Sequence, residues 1–322
     1  MAHARCWDGL QVDEGEEMGV SEMAEAVEND VANKREGGSE RLKLFISTPF
    51  RSFGTARLFP DSLFGVGDAL KASYVEALVA EISAAAYGTE DMVVDEVEFG
   101  CGPASSLASE QLGRVMRTVR DNFRLAKDVR IHGMEVPGGL TVDYAGFCKN
   151  SHLEYLELEL LSADVLALRA EGLPPAGEAA VACFQVTYFT GAPQLGILLD
   201  SCLDRDERAF RKSIAEALGR DPLFVRVMGL DKSADMNGRI TALRTLCEKH
   251  GLAEVDAGAL AGPGMLVYAR KGFRGLPETH ANQIGCGVNA MSIFDGIRYK
   301  TTGDLSQYLA HSVDFPIIAR QV

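Results

Sequence analysis

The stretch VVDEVEFG, residues 93–100, alternates charged and apolar side chains. Successive side chains on a β-strand point to opposite faces, so Glu96 and Glu98 share one face while the apolar residues between them share the other. The stretches on either side, 68–88 and 109–123, repeat apolar residues at the spacing of a helix. A strand between two helices is the beginning of a strand–helix alternation, which predicts βαβ units and a parallel sheet where it continues.

The same alternation of strands and helices continues from residue 42 to residue 230. Further strands are predicted at 42–47, 129–135, 153–160, 195–200 and 222–230. Further helices are predicted at 141–150, 176–190 and 204–219. Strands that alternate with helices in this number predict an α/β fold with a partial (β/α)6 barrel of the TIM type.

Charged residues occupy one face of several predicted strands. The set comprises Lys43, Glu96, Glu98, Arg130, His132, Glu157, Glu159 and Arg226. Their apolar neighbours can face the surrounding helices, so we expect the charged set to face the interior of the barrel. Because isolated buried charges are costly, the interior should hold either a buried ion-pair network or a polar cavity. The alternative is that one or two of these strands lie at a sheet edge with one face in solvent.

The composition is that of an ordinary globular protein, with 47% hydrophobic residues and no apolar run that approaches the roughly 18 residues of a membrane span. A net charge of −14 argues against a nucleic-acid partner, because phosphate binding needs clustered lysine and arginine. The seven cysteines are scattered without zinc-type or CxxC spacing, which is typical of reduced thiols. We therefore expect a cytoplasmic protein that does not enter a membrane.

Three domains are expected, and the first is an acidic N-terminal tail at residues 1–41. Residues 1–40 hold eleven acidic and three basic side chains. Such a segment is typical of a solvated, flexible tail. The segment could also form a short acidic helix through Met18, Met23 and Val27, and the alternative to a solvated tail is one that docks on a partner through Trp7 and these methionines.

The second expected domain is the partial barrel at 42–230, and the third is a smaller C-terminal α+β domain at 231–322. In the third domain a helix capped by Asn237 and Gly251 precedes two strand-like runs. An Asp295-Gly296 pair between two further strand-like runs predicts a β-hairpin.

Five motifs of the chain occur in the same order in one known family. They are STPFRSFGTARLFP (47–60), EFGCGPASSLASEQL (98–112), MEVPGGLT (134–141), LELELLS (156–162) and GCGVNAMSIFDGIRYKTTGDLSQYL (285–309). Through these motifs the chain resembles radical-SAM proteins of the oxygen-independent coproporphyrinogen III dehydrogenase and HemW haem-chaperone group. The resemblance implies a partial barrel built around a [4Fe–4S] cluster and SAM, with a C-terminal region that helps shape a substrate cleft.

The resemblance fails at the residues that would hold these cofactors. The family's three cluster cysteines correspond to Arg51, Thr55 and Leu58, and none of these residues supplies a thiolate. The family glutamate that helps hold SAM corresponds to Met134, and its late histidine corresponds to Met291. Neither a [4Fe–4S] cluster nor bound SAM is therefore expected.

The vacated site is expected to be filled by side chains. Glu159 stands where the family has a glycine, so its side chain would enter space that the family keeps open. We expect Arg51, at the mouth of the barrel, to form a bidentate ion pair with Glu159 or Glu157. The competing expectation is an open polar cavity.

Seven interior and rim residues are candidate binding residues, with no catalytic residue and no metal ligand predicted among them. They are Arg51, Glu98, Cys101, His132, Glu157, Glu159 and Met291. Cys101 could ligate haem iron, although a small buried thiol in place of a glycine is the more usual role. His132 is expected within the charge network or as a ligand, and Met291 within the core or against a porphyrin face.

Three functional hypotheses follow. The first is a non-catalytic radical-SAM-like protein that acts as a binding or scaffold subunit, in a homo-oligomer or beside an active enzyme. The second is a carrier of haem or another tetrapyrrole, which the family resemblance implies. The third is an enzyme that performs acid–base chemistry through Glu157, Glu159 or His132 in an acidic barrel interior.

Overall fold

The computed structural model describes most of the chain. The described residues are 13–18, 40–51, 62–173, 194–233, 235–256, 264–273, 280–294, 297–310 and 317–321. Three predicted features lie outside them: the helix at 176–190, the positions Thr55 and Leu58, and the Asp295-Gly296 turn. Within the described ranges, no helix combines the length and the apolar character needed to cross a bilayer.

Fifteen strands, seven α-helices and four short 3-10 helices make up the described secondary structure. The strands are β1 Asp13–Met18, β2 Arg41–Ser47, β3 Phe50–Arg51, β4 Leu63–Phe64, β5 Val93–Gly100, β6 Leu125–Glu135, β7 Tyr155–Leu161, β8 Gln194–Asp200, β9 Phe224–Met228, β10 Leu252–Val255, β11 Leu266–Arg270, β12 Gln283–Cys286, β13 Met291–Phe294, β14 Ile297–Thr301 and β15 Ile317–Gln321. The helices are α1 Asp68–Ala85, α2 Ser109–Asn122, α3 Val142–Ser151, α4 Val165–Ala170, α5 Glu207–Leu218, α6 Met236–Lys249 and α7 Leu305–Ala310.

The chain divides into two compact units that do not coincide with the predicted domains. Unit 1 comprises Met1–Ser52, Ala56–Ile131 and His280–Val322, and unit 2 comprises Phe53–Thr55 and His132–Thr279. The predicted boundaries at residues 41 and 230 each fall inside a unit. The three-domain division stays a prediction about folding, because a compact unit need not fold alone.

The sheet of unit 1 combines a parallel part with an antiparallel part. Its strand order is β1-β15-β14-β13-β12-β2-β5. Strand β2 pairs in parallel with β5 on one side and with β12 on the other. From β12 to β1 every neighbour is antiparallel. The predicted hairpin is confirmed by its strands, because β13 pairs with β14 through Phe294 opposite Ile297.

The sheet of unit 2 is parallel from β6 to β9 and then turns antiparallel. Its order, starting from the last residues of β6, is β6-β7-β8-β9-β11-β10. Strand β7 is buried along its whole length, as expected for a parallel strand in the middle of a sheet. Because the carboxyl ends of parallel strands lie at one edge, the segments that follow β6, β7, β8 and β9 gather at that edge.

Helix α2 forms where the sequence predicts it because its apolar residues lie on one face. Its buried residues are Leu112, Val115, Met116 and Val119. The α2 helix packs against α1, whose buried face includes Tyr74, Leu78 and Ile82. These two helices and the shorter α7, which also contacts α1, are the described α-helices of unit 1.

Three elements differ from the prediction. The acidic helix is wrong at Asp13–Met18, because these residues form β1 through antiparallel pairing with β15. Strand β6 begins at Leu125, four residues before the predicted start at 129. The α6 helix is capped by Asp235, which accepts a hydrogen bond from the Gly238 amide, and not by Asn237.

Candidate functional site

The charged face of β2 and β5 forms a buried ion-pair network in unit 1. The parallel register places Lys43 beside Glu96. The Lys43 Nζ atom lies 2.7 Å from Glu96 Oε1 and 2.5 Å from Glu98 Oε2. The Arg130 guanidinium binds Glu96 Oε2 at 2.5 Å. Two cations and two carboxylates therefore neutralise one another within this group.

The network keeps Lys43 charged although its side chain is buried. Burial by itself lowers the pKa of Lys43, but the carboxylates of Glu98 and Glu96 outweigh that effect, so the pKa is raised above its usual value. The expected ion-pair network is thus confirmed for these strands. The edge-strand alternative is wrong for β5, because β5 has β2 on one side and β6 on the other in the sheet order, and Glu96 on it is buried.

A second buried ion pair lies in unit 2. Both Glu157 and Arg226 are buried. The Arg226 Nε and Nη2 atoms donate to Glu157 Oε1 and Oε2 at 2.5 and 2.6 Å, which is a bidentate pair. Such a fork is the strongest common arrangement of these two groups. The partner predicted for this carboxylate was Arg51, and the structure supplies Arg226 instead.

The Glu157–Arg226 pair spans an intervening strand that carries a glycine. The carboxylate is on β7 and the guanidinium on β9, with β8 between them. Gly196 of β8 is the register partner of both Glu157 and Phe224. A Cβ atom at Gly196 would lie 2.1 Å from the Phe224 ring. The missing side chain therefore leaves room for the Phe224 ring between the two strands that carry the pair.

Arg51 lies at the start of the loop that resembles the family's cluster loop. Strands β3 and β4 pair in parallel and bring Arg51 opposite Phe64. The Arg51 guanidinium carbon lies 5.7 Å from the centre of the Phe64 ring, which is a cation–π distance. Arg51 therefore interacts with an aromatic ring of its own unit. Its expected pairing with Glu159 stays a prediction.

The turn that follows β5 supports the beginning of the same loop. The Thr48 hydroxyl donates to the carbonyls of Gly100 and Gly102 at 3.1 and 2.9 Å. A Cβ atom at Gly102 would lie 2.4 Å from the Thr48 carbonyl oxygen and 2.8 Å from that of Phe50. Only glycine fits at Gly102, because two backbone segments meet there.

Cys101 and Met291 occupy structural positions in unit 1. Cys101 adopts a left-handed backbone conformation with φ of 62°, and its thiol contacts the Asn289 carbonyl at 3.6 Å. Met291 is half-buried at the start of β13, where its carbonyl accepts a hydrogen bond from the Gln283 side chain at 2.7 Å. Their expected roles as haem ligand or porphyrin cover stay predictions.

His132 and Glu159 are buried in unit 2. The His132 ring stacks on Tyr155, with ring centres 4.8 Å apart and planes inclined by 6°. Tyr155 also packs edge-on against Phe224 and Phe273. Packing on this aromatic cluster gives His132 a core role beside any role in the charge network.

Sequence reasoning missed a buried polar cluster at the carboxyl edge of unit 2. The Asp204 carboxylate accepts hydrogen bonds from Ser162 at 2.6 Å and from Ser213 at 2.8 Å. Arg239 donates to the carbonyls of Ser201 and Asp204. Burial raises the pKa of Asp204 to about 6, although both hydroxyls and Arg239 oppose this shift. These residues come from separate segments, so no spacing in the sequence could indicate the cluster.

Among the described residues, those considered as cluster ligands fit a radical-SAM cluster poorly. A site-differentiated [4Fe–4S] cluster needs three thiolates, and a guanidinium such as that of Arg51 cannot ligate iron. Three described cysteines are also poor thiolate donors. Burial raises the pKa of Cys148 and Cys247 to about 12, and raises the pKa of Cys286 well above its usual value.

Comparisons with known proteins identify the fold. No protein-family model matches the chain, and no curated protein sequence matches it. Among solved structures, the coproporphyrinogen III oxidase HemN of Escherichia coli, described as a radical SAM enzyme, matches with a TM-score of 0.73 at 16% identity. The match covers 96% of this chain and 76% of HemN.

Two other matched structures are more distant. An archaeal TYW1 matches with a TM-score of 0.38 at 10% identity, over 61% of this chain and 63% of TYW1. HydG, a maturase of the [FeFe]-hydrogenase, matches with a TM-score of 0.41 at 11% identity, over 70% of this chain and 54% of HydG. We draw no conclusion from these two. The match to HemN confirms the predicted fold class, an α/β fold with a TIM-like partial barrel.

Proposed function

We propose that the chain is a non-catalytic relative of radical-SAM enzymes that acts as a binding or scaffold subunit. One observation carries the proposal. The fold matches HemN over 96% of the chain, while the three positions that resemble the family's cluster cysteines hold Arg51, Thr55 and Leu58. A chain that keeps the fold but lacks the residues that bind the cluster retains surfaces for binding a partner protein and has no means of radical-SAM catalysis.

The buried ion pairs support this proposal. Glu157 is bound on both oxygens by Arg226. Glu96 is likewise bound by Lys43 and Arg130. Carboxylates held in this way are poor general bases, because a bound cation stabilises the charged form. The acid–base hypothesis for Glu157 is correspondingly weakened.

Exposed apolar side chains at the carboxyl edge of unit 2 suggest where a partner binds. Val142 begins α3, Leu166 is the second residue of α4, and Met236 begins α6, and all three are exposed. These helices follow the parallel strands β6, β7 and β9, so their first residues gather at one edge of the sheet. Enzymes with TIM-type folds use this edge for substrates. Exposed apolar groups that gather at one edge are typical of protein interaction sites.

The cluster test compares the wild-type protein with a variant that restores the thiolates, Arg51→Cys/Thr55→Cys/Leu58→Cys. After anaerobic reconstitution with iron and sulfide, we expect the wild type to hold less than about a tenth of a cluster per chain and the triple variant to hold several times more, since only the variant offers three thiolates at the family spacing. Iron and sulfide analysis with absorption spectroscopy provides the readout.

The same samples decide between the remaining hypotheses. Stoichiometric iron and sulfide in the wild type, or 5′-deoxyadenosine formed from SAM by the wild type alone, would contradict the proposal. A Soret shift on titration of the wild type with micromolar haem would favour the haem carrier. Matched thermal melts of both proteins verify that the triple variant is folded.

The partner test uses the exposed edge of unit 2. We expect Leu166→Asp/Met236→Asp to lower the amount of partner that cross-links to and co-purifies with the tagged protein by about tenfold, because each substitution places a charge in an apolar contact. Tyr87→Asp is the matched control, since Tyr87 is equally exposed but lies beyond the carboxyl end of α1. Equal capture by all three proteins would remove this edge as the binding surface.

A further inference from the structure

A buried carboxyl group joins three separate segments of unit 1. Glu81 of α1 is 3% exposed. Its Oε2 atom accepts hydrogen bonds from the Gly287 amide, in the turn after β12, and from the Tyr308 hydroxyl on α7, both at 2.7 Å. One oxygen atom thus holds a turn and a helix that are far from Glu81 in sequence.

The turn held by Glu81 is packed tightly from several sides. Gly287 has a φ of 103°, and a Cβ atom there would lie 2.2 Å from the Tyr74 hydroxyl oxygen. The Ser47 hydroxyl donates to the Val288 carbonyl at 2.5 Å, and the Thr301 hydroxyl donates to the Gly287 carbonyl. The turn that Glu81 binds is thus also hydrogen-bonded to Ser47, at the carboxyl end of β2.

No described cation neutralises Glu81. The titratable groups around it are Tyr74 on its own helix, Tyr308 on α7, and Cys286 at the end of β12. Cys101, after β5, interacts with Tyr74. The α2 helix presents Arg114 to α1, but this guanidinium binds the exposed Glu76. The buried residues that α2 contributes are apolar.

These surroundings favour the uncharged acid. Burial raises the pKa of Glu81 to about 7, and the hydrogen bonds from Tyr308 and Gly287 only partly oppose the shift. Burial also raises the pKa of Tyr74, Tyr308 and Cys286, so these groups remain neutral near pH 7. Glu81 is then the member of this group that changes its charge near neutrality.

We propose that Glu81 is a proton-controlled latch, in which the neutral acid holds the Gly287 turn and helix α7 against α1, and loss of the proton loosens both. The neutral acid accepts both hydrogen bonds on its carbonyl oxygen without placing a charge in the core. The carboxylate needs hydration, and opening of α7 or of the turn supplies it.

The sign of the pH effect follows from the two states. The pKa of Glu81 is about 7 in the folded chain and 4.5 at its ordinary value. The stabilisation is fully present below pH 4.5, where both states are protonated. It declines as pH rises from 4.5 to 7, because the unfolded chain ionises first, and it is lost above pH 7. The latch is therefore closed at mildly acidic pH and loosened at mildly alkaline pH.

The test measures the unfolding equilibrium between pH 5 and pH 8.5 for the wild type, Glu81→Gln and Glu76→Gln. Glutamine is a permanent analogue of the neutral acid. We expect the ratio of the unfolding constants of wild type and Glu81→Gln to rise by about a hundredfold across this range. Glu76→Gln should leave the slope unchanged, because Arg114 lowers the pKa of the exposed Glu76. Parallel profiles for wild type and Glu81→Gln would overturn the latch.

A local readout separates the latch from general pH sensitivity. Above pH 7, hydrogen exchange corrected for its intrinsic pH dependence should accelerate in the Gly287 turn and α7 of the wild type, and not in Glu81→Gln.

If Glu81→Gln fails to fold, Tyr308→Phe replaces it. Loss of that donor should move the loosening to higher pH, because the hydrogen bond from Tyr308 favours the charged form. An infrared carboxylic-acid band that is absent from the wild type at pH 5.5 would also overturn the proposal. None of these readouts depends on a cluster, haem or a partner, so their outcome is independent of whether the proposed function is correct.

Discussion

Arg226→Met is expected to lower the free energy of unfolding by about 3–5 kcal/mol, because it leaves the Glu157 carboxylate in the core without its two guanidinium hydrogen bonds. The pair is buried and bidentate. The double variant Glu157→Leu/Arg226→Met should recover much of this loss, since it removes both charges and fills the volume with apolar atoms. Urea denaturation of the three proteins provides the measurement.

Arg114→Met is the matched control for this prediction. The Arg114 guanidinium binds both oxygens of Glu76, so the geometry resembles that of the buried pair. The two side chains are 43% and 62% exposed, and exposed pairs contribute only about 0–1 kcal/mol. If Arg114→Met lowered the free energy of unfolding as much as Arg226→Met, burial would not explain the stability that the Glu157–Arg226 pair contributes.

Gly102→Ala is expected to cost about 3 kcal/mol or more, or to prevent folding, because no rotamer change can relieve a backbone clash. The added Cβ atom would lie 2.4 Å from the Thr48 carbonyl oxygen. Either β2 and the segment after it move away from the turn after β5, or the hydrogen bonds from the Thr48 hydroxyl break. The free energy of unfolding from chemical denaturation gives the magnitude.

Gly113→Ala makes the same chemical change where space allows it. Gly113 lies inside α2, and the nearest atom to its added Cβ is Arg117 Nη1 at 3.7 Å. Alanine in a helix interior should stabilise the chain by about 0.5–1 kcal/mol. Equal stability of the two alanine variants would show that β2 and the β5 turn are less tightly packed than the structure has them.

Elements with a strong local signal were predicted closely. Strand β5 matches its predicted bounds, and α2 ends one residue earlier than predicted. Both are set by local patterns, a period of two in the strand and an apolar stripe in the helix. The sequence pattern also allows the pairing of Lys43 with Glu96 and Glu98 to be expected, because adjacent parallel strands with oppositely charged faces bring such residues together.

Elements made by distant pairing were not predictable in the same way. Strand β12 is only four residues long and becomes a strand by pairing in parallel with β2. Strand β1 has an acidic sequence that favours a tail or a helix, and its partner β15 is about 300 residues away. The Glu157–Arg226 pair likewise depends on the register across β8, which no local pattern encodes.

The short ladder between β3 and β4 closes a loop. It fastens both ends of the segment between Arg51 and Leu63, with the Leu63 amide donating to the Pro49 carbonyl at 2.5 Å. The entropic cost of closing a loop is set mainly by its length, so the ladder holds these two ends together whatever residues lie between them.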